Sequence, residues 1–429
     1  MPKDKVIVGL DIGSSKICAI IATVPPEEKV NVIGVASVPS RGLRKGQIVD
    51  IEEAVSAITE CLESAERMAG YSVGSAIISV SGTHIECQNS KGVVAVSQPH
   101  GEIDMDDVKR VIDAAKAISL SSSREIIHVI PRHFTIDSQA GIKDPVGMTG
   151  VRLEVETHIV TGATTSLRNL AKSVAEVGIG ADDLVYSGIA SSEAVLTETE
   201  KELGVVCVDI GGGTTDITMF VDGSLAYSSV LPVGAKNITN DLAIGLRISL
   251  ESAEKIKLAL SQKVKFAVEA DDAIDVEKLA KDKKRDDTLD LSDLGLEDEV
   301  KTVSRKTLVD GIIKPRMTEI INMIKLEIQK SGLGGLLPAG VVVTGGGAET
   351  AGILDIFKRE LAMPARVGLP TGATGLIDEI SGPAYSTCLG LVLYGAKTEN
   401  AEGRKQMVGM VEIKGVVGKG VDWIKSFLP

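Results

Sequence analysis

Two stretches decide how the chain is read: Asp11-Ile12-Gly13-Ser14-Ser15-Lys16 and Asp209-Ile210-Gly211-Gly212-Gly213-Thr214-Thr215-Asp216. Each opens Asp-Ile-Gly. Each is flanked by apolar runs, residues 6–10 and 17–24 around the first, 205–209 and 217–221 around the second. Apolar runs broken by turn-forming residues predict a β-hairpin. The same hairpin twice, about 200 residues apart, is a weak internal repeat and predicts two lobes built on one plan.

The turns also carry chemistry. A phosphate chain needs closely approaching backbone N–H groups and a charge partner, and glycine permits the approach because it has no Cβ. Gly211-Gly212-Gly213-Thr214-Thr215 supplies such amides; Gly13-Ser14-Ser15-Lys16 supplies a second set, with Lys16 available to a phosphate oxygen. Either turn alone could be only a tight hairpin. Asp11 and Asp209 stand at the C-terminal ends of predicted strands, where α/β folds place ligand groups. A carboxylate there would repel a polyphosphate unless a cation lay between them, so both are assigned to a hydrated Mg²⁺; the plainer reading is that each caps its turn. A third element, Val341-Val342-Val343-Thr344-Gly345-Gly346-Gly347-Ala348-Glu349, runs a buried strand into glycines and then a helix near 352–361. It would set Gly345, Gly346, Gly347 and Ala348 beside an adenine or ribose.

The 429 residues suffice for two large domains. Aromatics make up only 3%, so the core must be Val, Ile, Leu and Ala, which favours strands covered by helices. A net charge of −13 argues against general nucleic-acid binding. The five cysteines form no CxxC pair and read as small buried hydrophobes in a reducing compartment. The five histidines have no metal-ligand spacing. No apolar h-region follows the start and no stretch of about 18 apolar residues occurs, so a cytosolic location without a membrane span is expected.

Between the hairpins, helices are predicted over 51–68 and 166–177 and a strand over 76–81. Residues 85–160 look like an inserted α+β unit, with strands at 126–136 and 152–160 and a helix at 105–117 behind the acidic Asp104, Asp106 and Asp107. Residues 262–306 interleave aspartates with lysines and read as a surface subdomain with a charged loop. A helix is predicted over 308–328. Residues 397–417 look like a tether.

The order of the three glycine motifs resembles the phosphate-1, phosphate-2 and adenosine motifs of the actin, heat-shock chaperone and sugar kinase superfamily. Ser192-Glu193-Ala194 and residues 383–395 resemble its two connecting helices, and Ser252-Ala253-Glu254-Lys255-Ile256-Lys257 resembles the helix that reaches ribose and adenine in bacterial actins, implying Glu254 and Lys257; an i,i+3 surface pair is the alternative. His128-Val129-Ile130-Pro131 through 141–153 resembles more specifically the FtsA family of bacterial cell-division proteins, as does Ser14-Ser15 and the position of the early insert. The resemblance covers roughly residues 5–395 and the tail.

It implies an α/β, actin-like two-lobed ATPase fold with duplicated ribonuclease-H-like lobes and a relocated small insert subdomain. The first lobe would take 1–84, 161–200 and 380–396, the insert 85–160, the second lobe 201–230 and 307–379, and a small subdomain 231–306. Function would follow: binding of ATP and Mg²⁺, polymerisation with itself, tethering of FtsZ at the membrane, and recruitment of later division proteins through 85–160. Lys301 and Arg305 would grip the acidic C-terminal peptide of FtsZ, or be solvated charges. Hydrolysis would be slow at most, since no base is evident. A small-molecule kinase and a pilus-assembly adaptor of the same superfamily are the alternatives.

The last twelve residues, 418–429, form an amphipathic pattern at about 100° per residue. Val421, Trp423, Ile424, Phe427 and Leu428 share an arc, while Lys425 falls opposite and Lys419 precedes them. Such a helix would lie in the interface of an anionic membrane, on the inner face of the cell membrane at the division septum, with lysines at the headgroups. One short helix binds weakly; many copies on a filament would add avidity.

Overall fold

The computed structural model describes residues 5–25, 29–97, 101–269, 287–292, 295–296 and 302–407. The first hairpin pairs β1 (Lys5–Ile12) antiparallel with β2 (Lys16–Val24), which pairs with β3 (Val30–Pro39). A two-residue ladder, β4 (Leu43–Arg44) with β5 (Gln47–Ile48), leads into α1 (Ile51–Ala69). That helix starts where Asp50 accepts a hydrogen bond from Glu53 N and stops at Gly70 in the left-handed region. It buries Ala54, Ala57, Ile58, Cys61, Leu62 and Ala65, one apolar stripe at helical spacing, against the sheet. β6 (Ser75–Val80) and β11 (Gly180–Tyr186) add in parallel on the other side of β1.

The insert lies between β6 and β11. It comprises β7 (Glu86–Ala95), α2 (Met105–Lys116), β8 (Arg124–Ile136), β9 (Gln139–Ile142) and β10 (Arg152–Ala163), in sheet order β7-β10-β8-β9. Asp104 and Asp107 close a reciprocal cap on α2. The unit has its own core of Val108, Val111, Ala115, Phe134, Leu153 and Val155 among others. Helices α3 (Thr164–Glu176), α4 (Ser187–Val195) and α5 (Glu198–Leu203) complete the first half.

The second half repeats the plan. β12 (Val205–Ile210), β13 (Thr215–Val221) and β14 (Ser224–Leu231) form an antiparallel meander, and β17 (Val341–Thr344) and β18 (Ala365–Val367) join β12 in parallel. The five-strand order is β14-β13-β12-β17-β18; the first sheet runs β3-β2-β1-β6-β11 in the same sense. Position by position, the two halves share strand order and direction, so the repeat predicted from Asp-Ile-Gly extends to whole sheets. Helices α6 (Ala235–Leu246) and α7 (Leu250–Glu269), the short ladder β15 (Thr288–Asp290) with β16 (Thr302–Ser304), and the helix Lys314–Ser331 pack on the second lobe.

Two boundaries differ from the sequence reading. β19 (Ala373–Gly375), expected in the second lobe, pairs in parallel with β3 of the first. The helix Ser386–Met407 runs eleven residues into the predicted tether, because its periodic packing against β1 and α4 carries the backbone onward. Among the described residues no helix is long and apolar enough to cross a membrane.

Candidate nucleotide site

Both sheets direct the C-terminal ends of their central strands at one crevice. It encloses about 250 Å³ and is lined by Asp11, Ile12, Gly13, Ser14, Ser15 and Lys16 from the first turn, and Asp209, Gly211, Gly212, Thr214 and Asp216 from the second. Gly345, Gly346, Gly347 and Glu349 close it from the third motif, and Glu254, Lys257 and Leu258 from α7. A wider dish at the end of α1, around Tyr71, lies open to solvent and has one glycine, Gly70, in its lining.

The two turns are fitted to each other. A Cβ on Gly212 would lie 1.8 Å from Ser15 Oγ, and one on Gly213 would lie 3.1 Å from Ser14 Oγ. Glycine in the second turn is therefore what lets serines occupy the first. Ser14 Oγ accepts from Gly46 N at 2.8 Å, and Lys236 Nζ, from the second lobe, donates to Ser14 O at 2.6 Å. Thr215 does not face the cavity; its hydroxyl donates to Val233 O at 2.8 Å and anchors the start of β13. Gly213 and Ala348 are outside the lining, Ala348 being buried in the second-lobe core.

Three buried carboxylates gather around the crevice. Ser79 Oγ donates to Asp11 Oδ1 at 2.7 Å, and Thr387 Oγ1 donates to Asp209 Oδ2 at 2.8 Å. Ser81 Oγ, on the first lobe, is 2.8 Å from both oxygens of Asp216, on the second. Burial raises the pKa of all three: Asp209 is pushed up to about 6 and Asp216 well above its ordinary value, and in these two a neighbouring aspartate adds to the rise. The compensating cation is Lys16. Its Nζ is buried without a hydrogen-bond acceptor among the described residues, 4.0 Å from the centroid of the Tyr385 ring. A desolvated ammonium lacking an acceptor is costly, and it sits in a cavity rimmed by glycine amides. The donor set therefore suits a polyphosphate. Among the described residues no three metal-ligating side chains converge; a hydrated ion shared with phosphate oxygens fits the aspartates better than a direct protein cage.

Glu254 and Lys257 both line the crevice and are paired at 2.7 Å, with Thr239 Oγ1 bridging them at 2.5 and 2.9 Å. The i,i+3 pair and the cleft position are thus both true. Arg305 begins the short helix Arg305–Leu308, half-exposed, its N–H donating to Asp287 O at 2.7 Å. Lys301 and the whole predicted membrane face, Lys419, Val421, Trp423, Ile424, Lys425, Phe427 and Leu428, lie outside the described residues.

Sequence reasoning missed Ser79, Ser81, Thr387, Tyr385 and the site role of Asp216. Each acts through a partner 67 or more positions away, as with Ile12 N and Ser79, and local patterns do not record such pairing. Asp216 alone carried a signal, the last residue of the second quoted stretch.

The crevice between topologically duplicated lobes defines the actin-like class. Solved structures agree at the level of fold. A type IV pilus biogenesis complex of PilM and PilN matches with TM-score 0.61 and 14% identity, covering 91% of this chain and 98% of that one. MreB5 of Spiroplasma citri bound to ADP matches with TM-score 0.52 and 14% identity, covering 94% and 99%. Family models match at residues 82–161, the SHS2 domain inserted in FtsA, and at 206–390, cell division protein FtsA. The FtsA proteins of Pseudomonas aeruginosa (37% identity, 92% of this chain and 90% of that protein) and Borreliella burgdorferi (38%, 95% of each) are similar over nearly their full lengths. The chain belongs to the FtsA family of cell division proteins.

Proposed function

We propose that this division protein binds ATP with Mg²⁺ in the crevice, polymerises on the inner face of the cytoplasmic membrane, and tethers FtsZ there. The observation that carries the nucleotide reading is the acceptor-free Lys16 ammonium facing two glycine-rich turns across one cavity. Lys16 and the amides of Gly13, Ser14, Ser15, Gly211, Gly212 and Thr214 would hold phosphate oxygens, and Gly345 to Gly347 with Glu254 and Lys257 would hold the adenosine. Asp11 and Asp209 would hold water around Mg²⁺, which neutralises charge between phosphate and carboxylates. ATP acts as a clamp joining the lobes. Any hydrolysis is slow.

Family membership supports the division role. Residues 418–429 supply the membrane anchor, Lys301 and Arg305 the contact with the FtsZ C-terminal peptide, and the insert the contact with later division proteins. Titration calorimetry with Mg-ATP tests the nucleotide claim: saturable binding weakened at least about tenfold but still measurable in Lys16→Met is expected, and none in the full chain refutes it. Co-sedimentation with anionic liposomes should fall at least tenfold when the chain ends at residue 415; equal binding removes the anchor. An FtsZ C-terminal peptide should be retained by the full chain and several-fold less by Arg305→Glu.

A further inference from the structure

The helix Ser386–Met407 is preceded by a turn, Pro383–Tyr385, and turn and helix start together touch all three glycine motifs of the crevice. Pro383 O accepts from Gly345 N at 3.1 Å, Ser386 Oγ pairs with Thr344 Oγ1 at 2.7 Å, and Thr387 donates to Asp209. The turn is thus pinned to the second lobe on three sides. From this fixed point Tyr385 presents its ring face to Lys16, which belongs to the first.

Opposite charges line the same crevice as Lys16, yet the geometry does not pair it with them. Asp11 accepts from Ser79 and Asp209 from Thr387, while the lysine nitrogen meets no acceptor among the described residues. The ring face supplies a negative surface that holds this ammonium in place, and it does so without consuming its three N–H donors. A carboxylate in the same position would neutralise the lysine and leave nothing for an anion. An aliphatic side chain would leave it unsupported.

We propose, resting on the nucleotide reading above, that Tyr385 is a positioning residue for polyphosphate. It braces Lys16 with its donors free, so that affinity depends on the ring face in proportion to the phosphate charge of the ligand. The ligand class concerned is the nucleoside triphosphate or diphosphate; adenosine, lacking phosphate, does not sense the brace.

The test is calorimetric titration of the full chain with Mg-ATP and, separately, adenosine. Tyr385→Leu should weaken Mg-ATP about 5- to 20-fold and alter adenosine by less than twofold. Tyr385→Phe should stay within twofold for both. In a Lys16→Met background Tyr385→Leu should change Mg-ATP affinity by less than twofold, because the brace then has nothing to hold. Incorporating phenylalanines of increasing fluorination at 385 keeps shape and folding while weakening the ring face, and should lower Mg-ATP affinity stepwise. Equal losses for adenosine, an undiminished loss in the Lys16→Met background, or a flat fluorination series would overturn the inference while leaving the nucleotide site standing. A full chain that binds no Mg-ATP sinks the nucleotide reading and the inference together.

Discussion

The two crevice-facing turns sit on the same arrangement of strands and carry different equipment. The first, Gly13-Ser14-Ser15-Lys16, brings side chains: a serine hydroxyl that organises Gly46 and a cation held against an aromatic ring. The second, Gly211-Gly212-Gly213-Thr214, brings almost none, and its bareness is shaped to the serines opposite. The two hairpins are alike in strand pairing and complementary where they share one crevice. Two serine-bearing turns would collide, and two bare ones would have no cation to answer three aspartates.

The largest expected effect concerns the carboxylates at the head of each turn. Asp209 has its pKa pushed up to about 6 from an ordinary 3.8 by burial. Below about pH 4 it is protonated folded or unfolded and has no effect on the balance. As pH rises from about 4 to about 6 the unfolded chain gives up this proton while the folded protein, unwilling to bury the charge, still holds it, so ligand-free stability falls by up to about 3 kcal/mol and levels off above pH 6. Asp209→Asn should remove that loss, raising the melting temperature above pH 7 while abolishing Mg-ATP binding. Asp11→Asn should act in the same direction. A variant no more stable than the parent at pH 8 would break the view that these carboxylates await a cation.

Next in size is the fit between turns. Gly212→Ala should cost about 2 kcal/mol of Mg-ATP affinity through overpacking on Ser15, roughly 30-fold at 1.4 kcal/mol per decade. Adding Ser15→Gly should restore at least half of it; strict additivity would show that the turns do not constrain each other. The smallest effect is that of Ser14→Ala. It strips one hydrogen bond from Gly46 N, and about 1 kcal/mol, or fivefold in affinity, is expected. A far larger loss would mean that the first turn leans on the second less than on its own lobe.

How far this could be read from sequence depends on how local each feature is. Both turns and their flanking strands were legible because hairpins are short-range, and β-branched runs such as 17–22 are unambiguous. The insert was legible in outline from the alternation in 126–136 and the cap at Asp104. The strand Gly180–Tyr186 was not, since Asp182 and Asp183 interrupt its apolar pattern. The helix Ser187–Val195 was legible only through the resemblance, because it is buried on nearly all sides and shows no amphipathic period. The predicted tether was helical as far as Met407 because glycine and charge content carries no record of the packing that starts the helix upstream. Tyr385 beside Lys16 joins residues far apart in the chain, and nothing in either neighbourhood foretells the meeting.

Where α4 crosses the helix Ser386–Met407, a Cβ on Gly390 would lie 1.8 Å from Ala190 O, so the two backbones touch with no side chain between them. Such a contact has the mechanical character of a fulcrum. At about 1.5 Å per residue the 22-residue helix is about 33 Å long, and its short arm ends at the crevice beside Thr387. A rotation of about 5° about Gly390 displaces Met407, about 26 Å away, by about 2 Å, so a change too small to alter any hydrogen bond at the crevice end becomes, at the far tip, a step longer than one residue's rise along a helix.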